Sequence, residues 1–311
     1  MPVNSPRISI SIFTLLIILV FSGYISIALS LLLGVGFALT VGNPFPLKTH
    51  WASSIILKSS IVILGLGLNF SDVLQTAKES FNITILSIVF TLVFGYFIGK
   101  MFKVEQKLSF LISGGTAICG GSAIAALAPT IRANPNHVII SISIIFLLNA
   151  LALIIYPVLG EQLGLGEKEF GLWSALGIHD TSSVVGAAAS YGEQAMEVAT
   201  TTKLARALWI VPLVFIAGLF FKQLGKAFTI PPFIILFILA TIAAATWPIL
   251  SELRPVSNLI AKKGMALSLF LIGTSFNQNT LSEIQWRALL QGILLWILVS
   301  IFSLWLIKFI N

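Results

Sequence analysis

The stretch SGGTAICGGSAIAALAPTIRANPN, residues 113–136, decides the fold, because it interrupts an apolar run with residues that break helices. Glycine pairs stand at Gly114-Gly115 and Gly120-Gly121, and Pro129 precedes the first charge at Arg132. In a helix interior glycine costs about 1 kcal/mol and proline about 3 kcal/mol relative to alanine. The stretch therefore predicts a discontinuous helix, whose freed backbone groups need partners inside protein rather than in lipid.

A restarted helix directs its first free N–H groups and the positive end of its dipole toward the break, which favours an anion there. The hydroxyls of Thr116 and Ser122 add further donors to such a site. The structural alternative is that the glycines serve only close packing between helices, as small residues commonly do in membranes.

A second stretch, ALGIHDTSSVVGAAASYG at residues 175–192, places five consecutive polar residues in an otherwise apolar run. An ionised carboxylate near the bilayer centre costs several kcal/mol unless it is paired or hydrated, so Asp180 is expected in a polar cavity or protonated. His179 stands next to it, and because the unperturbed pKa of histidine is about 6.5, the pair is a candidate for proton coupling. The alternative is a loop or helix cap at the membrane surface, because Asp-Thr-Ser-Ser is also good N-cap chemistry.

Two basic residues lie in the following helix, within TTKLARALWIVPLVF. Lys203 and Arg206 are three residues apart and therefore share one helical face, where together they are suited to hold a divalent oxyanion. The alternative is that both extend to the interface, as basic residues at helix ends commonly do, with Trp209 in the aromatic belt.

The composition excludes a water-soluble fold. Of the 311 residues 57% are hydrophobic and 9% charged, whereas a soluble domain carries roughly 25% charged residues. The net charge of +7 is spread over single or paired basic residues between apolar runs, which favours anchoring at the membrane over nucleic-acid binding. The single cysteine, Cys119, has no partner for an intrachain disulfide or a thiolate metal site.

Apolar runs long enough to cross a bilayer follow one another along nearly the whole chain and predict about ten or eleven transmembrane helices. The predicted spans are 8–21, 24–41, 52–70, 81–99, 109–131, 137–159, 171–190, 198–221, 231–250, 263–276 and 286–309. If all of them cross, the Lys and Arg counts of the loops favour neither orientation, whereas a re-entrant 171–190 segment makes the N-terminal side the more basic one.

Internal similarity predicts a duplicated architecture, as many transporters have. Gly-Leu-Asn-Phe-Ser at 67–71 resembles Gly-Thr-Ser-Phe-Asn at 273–277, and each closes an apolar run that follows a lysine. Gly-Gly-Ser-Ala-Ile-Ala-Ala at 120–126 likewise resembles Thr-Ser-Ser-Val-Val-Gly-Ala at 181–187.

Three motifs, GGTAICGGSAIAALAPTI (114–131), GIHDTSSVVGAA (177–188) and KLARALWIVP (203–212), resemble the YeiH-type family of sulfate exporters. The resemblance runs through most of the chain with the motifs in the same order. More distantly, that family looks related to the cation:proton antiporter and bile-acid symporter group, whose members have two discontinuous helices that cross at a central site. The resemblance implies that 113–131 and 175–190 are those two helices. One departure is that a single span separates them here, whereas in ten-helix relatives the broken helices lie five helices apart.

These observations together predict an all-α polytopic membrane protein with two discontinuous Gly/Ser-rich helices and internal structural repeats, forming one transporter domain over residues 1–311. We expect a secondary transporter of the bacterial inner membrane that exports a small inorganic or sulfur-containing anion such as sulfate, coupled to protons by His179 and Asp180. The candidate substrate-binding residues are Gly115, Thr116, Gly120, Gly121, Ser122, Thr181, Ser182, Ser183, Lys203 and Arg206.

The expected partners are the anion, H⁺ or Na⁺ as the coupling ion and the lipid bilayer, with no nucleic acid, cofactor or metal, while self-association into a homo-oligomer stays open. One alternative is a cation (Na⁺):proton antiporter in which Asp180 binds Na⁺ and H⁺ in competition. An alternative of another class is a channel or a structural membrane protein. An enzyme is not expected, because the sequence offers neither a nucleophile motif nor a cluster of metal ligands.

Overall fold

The computed structural model describes residues 6–25, 27–221, 232–275 and 285–310. Within these ranges the chain is helical and has no strand, which confirms the all-α polytopic prediction. The helices are α1 Pro6–Ser22, α2 Ile27–Thr40, α3 Pro46–Gly67, α4 Phe70–Met101, α5 Gln106–Ala117, α6 Gly121–Thr130, α7 Pro135–Gln162, α8 Glu167–Gly177, α9 Thr181–Tyr191, α10 Glu193–Ala207, α11 Ile210–Phe220, α12 Pro232–Thr246, α13 Pro248–Glu252, α14 Arg254–Gly273 and α15 Trp286–Ile310. Residues 276 and 277 of the predicted repeat motif, and the edges of the spans 231–250 and 263–276, lie outside the described residues.

Six helical stretches of the described chain are long and apolar enough to cross a membrane: α3, α4, α7, α10 together with α11, α14 and α15. The helices α1, α2 and α12 are apolar but shorter. Proline in the first turn of α3, α7 and α14 helps to start these helices, since the missing N–H would be unpaired there in any case.

The segment 106–130 forms a re-entrant hairpin, here called hairpin 1, made of α5 and α6. At its base, Lys107 Nζ donates to the carbonyl oxygen of Arg132 at 2.8 Å, and His137 lies 2.6 Å from Glu105. The beginning and the end of this segment are therefore on the same face of the membrane. Closer to the tip, Gly115 packs against Ile124 of the returning arm, where the missing side chain allows the close approach.

The segment 167–191 forms a second re-entrant hairpin, hairpin 2, made of α8 and α9. The Tyr191 hydroxyl donates to the carbonyl oxygen of Leu165 at 2.6 Å, and the rings of Phe170 and Tyr191 stack with centroids 3.8 Å apart. Glu167 Oε2 also accepts the N–H of Gln194 at 2.8 Å, which ties the entry of the hairpin to its exit.

Each arm of these hairpins has 10 to 12 residues, or roughly 15–18 Å at about 1.5 Å per residue, which is about half of a hydrocarbon core of roughly 30 Å. The two discontinuous helices are thus confirmed, but the crossing geometry that the family resemblance implied for 113–131 and 175–190 is wrong. Hydropathy alone does not distinguish the two geometries, because two half-length arms and one full span give a similar apolar stretch.

The hairpins enter from opposite faces of the protein. At one face Arg254, at the start of α14, donates to Asn69 Oδ1 at 3.0 Å, and at the other Asn43 donates to the carbonyl oxygen of Thr274, past the end of α14. From Asn69 the helix α4 runs to the base of hairpin 1, and from there α7, with 28 residues, runs back to the base of hairpin 2. Hairpin 1 therefore starts at the Asn43 face and hairpin 2 at the Asn69 face.

The two faces differ in charge. We call the Asn43 face the basic face, and its charges include Lys48, Lys100, Lys103, Lys107 and Arg132. We call the Asn69 face the acidic face, and its charges include Asp72, Glu79, Glu161, Glu167, Glu169 and Glu193. It also carries the basic residues Lys78, Lys168, Arg254 and Lys262.

The helices pack in two groups. One, the hairpin bundle, contains α4 to α11 and α15; the other, the flanking bundle, contains α1 to α3 and α12 to α14. The hairpin bundle surrounds both hairpins, and α9 of hairpin 2 is the element that packs on α2 and α14 of the flanking bundle. The motifs 120–126 and 181–187 fall on the same part of the two hairpins, the start of the outgoing arm, while the internal repeat as a whole stays a prediction.

Candidate functional site

The tips of the two hairpins meet inside the hairpin bundle. At the tip of hairpin 1, α5 ends at Ala117 and α6 starts at Gly121. At the tip of hairpin 2, α8 ends at Gly177 and α9 starts at Thr181. A Cβ atom added to Gly120 would lie 3.6 Å from the backbone carbonyl carbon and oxygen of His179, so the two breaks are in direct contact.

Gly120 makes the turn at the tip of hairpin 1. Its φ of +59° and ψ of −120° belong to a region that residues with a side chain rarely adopt. Its N–H donates to the carbonyl oxygen of Gly115 at 2.8 Å, which closes the end of α5. The second glycine of the pair, Gly121, faces open space, because an added Cβ would have no atom within 4 Å.

Lys203 and Arg206, both in α10, bind the carbonyl ends of the incoming arms. Arg206 Nε donates to the carbonyl oxygen of Ala117 at 2.6 Å and its Nη1 to that of Leu176 at 2.6 Å. Lys203 Nζ donates to the carbonyl oxygens of Ile178 at 2.7 Å and Ala175 at 3.2 Å. The last carbonyls of a helix have no hydrogen-bond partner within the helix, and they form the negative end of its dipole. The two cations therefore supply both the missing hydrogen-bond donors and a compensating positive charge.

Both side chains are 0% exposed. They therefore lie deep inside the protein and not at the interface, and Arg206 joins the two hairpins because it bonds to each of them. All but one of their hydrogen bonds are to backbone carbonyl oxygens, so we expect any effect on an anion to act through their charge at short range.

Asp180 caps the outgoing arm of hairpin 2. Its Oδ2 accepts the N–H of Ser182 at 3.1 Å and also the hydroxyl of the same residue. Such a carboxylate at a helix N-terminus satisfies free N–H groups and interacts favourably with the dipole. Asp180 is partly exposed, and no salt bridge of the described residues includes it.

Asn149 of α7 holds the tip of hairpin 2 from the side, and it is not among the site residues predicted from the sequence. Its Oδ1 accepts the N–H groups of His179 at 3.1 Å and Asp180 at 3.2 Å. The signal was present, since Asn149 is an isolated amide in the apolar run FLLNALAL, and polar residues within membrane spans are rarely without a role. The Ser87 hydroxyl of α4, 3.5 Å from Arg206 Nη2, was missed as well.

The remaining candidates lie at or beside the tips. Buried members are Gly115, Thr116, His179, Thr181, Ser182 and Ser183, whereas Ser122 is exposed. The ring nitrogens of His179 and the Thr116 hydroxyl have no hydrogen-bond partner in the described part of the chain. The structure thus brings the candidates from both stretches and from α10 together around one centre.

The two outgoing arms differ in accessibility. Along α6, Ser122, Ala125 and Pro129 are exposed and follow one side of the helix, whereas residues 181–188 of α9 are buried. The start of α6 has no side-chain cap, in contrast to the start of α9 under Asp180. The accessible polar groups at the tips are therefore those of hairpin 1 and the partly exposed carboxylate of Asp180.

Residues 8–292 match the model of the family described as conserved hypothetical protein 698. A UPF0324 membrane protein of Bacteroides thetaiotaomicron is 44% identical over 292 residues, which cover 93% of this chain and 88% of the relative. A UPF0324 membrane protein of Bdellovibrio bacteriovorus is 43% identical over 96% of this chain and 93% of its own, and one of Geobacter sulfurreducens is 39% identical over 98% of both. No solved structure matches the chain.

Proposed function

We propose that this chain, which belongs to the conserved hypothetical protein 698 family of membrane proteins, is a secondary active transporter of a small anion. The observation that carries the proposal is the meeting of two re-entrant hairpin tips around two buried cations and one carboxylate. Helices broken near the bilayer midplane, with their ends facing a common centre, are the usual construction of substrate and ion sites in secondary transporters.

The free-energy cost of burying charged side chains at the hairpin tips supports a function other than stabilising the fold. Charged side chains inside a membrane are expensive and rare, and they mark pathways or binding sites when they occur. Lys203, Arg206 and Asp180 all lie at the tips, whereas an apolar helix crossing would need none of them. We therefore favour a binding site over a purely structural role for these charges.

Charge favours an anion as the substrate. The formal charges of Lys203, Arg206 and Asp180 sum to +1, so an anion at the tips is attracted and a cation is repelled. The start of α6, with no side-chain cap, open space at Gly121 and the exposed Ser122 hydroxyl, is where we place the N–H and O–H donors that bind it. In this arrangement Gly121 and Ser122 contact the anion, while Lys203 and Arg206 act through their field.

Asp180 and His179 are the groups that we assign to proton coupling. Protonation of Asp180 would remove its negative charge beside the anion and weaken its bonds to the start of α9, so proton binding and anion binding would favour each other. The small inorganic or sulfur-containing anions include sulfate, which we take as the first substrate to test.

We take the exposed side of α6 as the route of access to the tips. Ser122, Ala125 and Pro129 lead from the tip toward the basic face, whereas hairpin 2 is covered by the flanking bundle. Because basic residues are enriched on the cytoplasmic side of membrane proteins, the basic face would be cytoplasmic and this conformation would load substrate from inside the cell. Movement of the hairpin bundle against the flanking bundle would then expose the tips to the other side, as expected of an exporter of the inner membrane.

The test is labelled-sulfate flux into proteoliposomes with and without an imposed pH gradient. We expect flux that follows the gradient in the natural protein and is lost in Asp180→Asn. Glu252→Gln is the matched control, because it makes the same carboxylate-to-amide change in α13, away from the tips. Flux that ignores the gradient, or that survives in Asp180→Asn, would contradict the proton-coupled proposal.

A cation:proton antiporter is the second candidate, and one observation favours it. Asp180 is the partly exposed carboxylate at the tips, and it has no salt-bridge partner among the described residues. If sulfate does not move but added Na⁺ collapses an imposed pH gradient, and Asp180→Asn abolishes this effect, the antiporter replaces the anion exporter.

A further inference from the structure

Four carbonyl oxygens at the ends of the incoming arms are occupied by side-chain cations. Lys203 Nζ lies 2.7 Å from the oxygen of Ile178 and 3.2 Å from that of Ala175. Arg206 bonds to the oxygens of Ala117 and Leu176 at 2.6 Å each, and its Nη1 is 3.3 Å from Ala175. Ala175 is therefore shared by both cations.

Carbonyls in this position are the groups that coordinate a coupling ion in other transporters. Where a membrane helix is broken, the unwound backbone carbonyls and the C-terminal ends of the half-helices commonly bind Na⁺. Oxygen ligands of this kind suit hard cations, and inside the membrane they need either a hydrogen-bond donor or a cation as partner. In this protein the partner is part of the chain itself, because two fully buried side chains of α10, Lys203 and Arg206, hydrogen-bond to these carbonyls.

Addition of a free cation at the same carbonyls would be unfavourable. The ammonium and guanidinium groups already stand within hydrogen-bond distance of the oxygens, so a metal ion would have to displace them. It would also meet two like charges at short range in a medium of low dielectric constant, where repulsion is strong. Arginine stays protonated under any ordinary condition, so at least one of the two charges is permanent.

We propose that Lys203 and Arg206 are built-in substitutes for coupling cations, so that this protein moves its anion without Na⁺. The inference rests on the proposed anion transport and extends it, because it assigns the role that Na⁺ plays elsewhere to two residues of the chain. It also separates the roles at the site: α10 supplies fixed positive charge, and the start of α6 supplies the N–H and O–H donors.

The first experiment compares sulfate flux in Na⁺ with flux in K⁺ and in N-methylglucamine at the same pH and ionic strength. We expect no loss of flux when Na⁺ is removed. In parallel, the thermal unfolding of the purified protein is measured against Na⁺ concentration, and we expect no Na⁺-specific stabilisation. Flux that falls to background without Na⁺, or a saturable rise in Tm with Na⁺ that K⁺ does not produce, would overturn the proposal.

The second experiment uses Lys203→Gln, which keeps a hydrogen-bond donor but removes the charge beside Ala175 and Ile178. We expect this variant to gain a Tm increase that depends on Na⁺, because the carbonyls regain a place for a cation. Lys308→Gln at the exposed end of α15 is the matched control and should show no such gain. A folded Lys203→Gln variant that ignores Na⁺ counts against the substitution of a cation by this lysine.

The outcomes separate this inference from the proposed function. If no sulfate moves in any salt, transport of sulfate is refuted, while the Tm measurements still decide whether Na⁺ binds to the natural protein. If Lys203→Gln does not fold, the comparison of salts on the natural protein decides the inference by itself.

Discussion

Replacement of Gly120 by alanine should destabilise the tip of hairpin 1, whereas the same replacement at Gly121 should not. At Gly120 the backbone has φ +59° and ψ −120°, a conformation that costs a residue with a Cβ of order 1–3 kcal/mol. The new methyl group would also stand 3.1 Å from Ile145 Cγ2. At Gly121 the methyl group meets no atom within 4 Å, and alanine favours the helix over glycine by up to about 1 kcal/mol.

The two variants are each other's control, because the same atom is added one residue apart. In thermal unfolding monitored by size-exclusion chromatography, Gly120→Ala should lower Tm by about 2–12 °C, which is the backbone cost converted at roughly 2–4 °C per kcal/mol. Gly121→Ala should keep or raise Tm but slow anion flux, since the methyl group fills the open space at the start of α6. A Gly120→Ala protein as stable as the natural one would refute the argument from the backbone.

Three further predictions concern the tips and the topology. Asn149→Leu leaves the N–H groups of His179 and Asp180 without an acceptor, at up to about 1–3 kcal/mol each, so Tm should fall. Asn149→Asp keeps the acceptor and should lose less, and equal Tm values for the two variants would contradict the assigned role. Arg206→Lys keeps the charge but loses the planar fork that bonds to both hairpins, so it should unfold at lower temperature than the natural protein, and unchanged stability would show that the fork is not needed. In a Cys119→Ser background, we expect Lys103→Cys at the basic face and Glu169→Cys at the acidic face to react with impermeant maleimide from opposite sides of the membrane. Lys103→Cys should react only from the cytoplasm. Labelling of both cysteines from one side would exclude hairpins that enter from opposite faces.

Local chemistry in the sequence was enough to predict where the helices break. The glycine pair at Gly120-Gly121 and the polar run at His179-Asp180 stand at the two tips, because backbone freedom and N-cap chemistry act within a few residues. The spacing of Lys203 and Arg206 predicted that they share one helical face, and both side chains bond to the carbonyl oxygen of Ala175, while their joint binding of an anion stays a prediction. These features depend on neighbours along the chain, so the sequence alone carries them.

The geometry of the breaks depends on distant contacts and was not predictable in the same way. A hairpin and a crossing helix have similar hydropathy, and the difference is made by pairs such as Lys107 with Arg132 and Tyr191 with Leu165. The partners of Lys203 and Arg206 are backbone carbonyls, which every residue has and which no motif can mark. Asn149 was missed because a single amide in an apolar helix has no local sign of what it binds.

The bond between Arg206 and Ala117 has a consequence for how the chain is made. The two residues are 89 positions apart, so hairpin 1 leaves the ribosome well before the group that completes its tip. During that interval the carbonyl end of α5 has no arginine beside it, and a half-length arm is a weak signal for membrane insertion. Hairpin 1 should therefore settle late, when α10 arrives, and ribosome-bound chains that end before Arg206 should leave it open to protease while α4 and α7 are already protected.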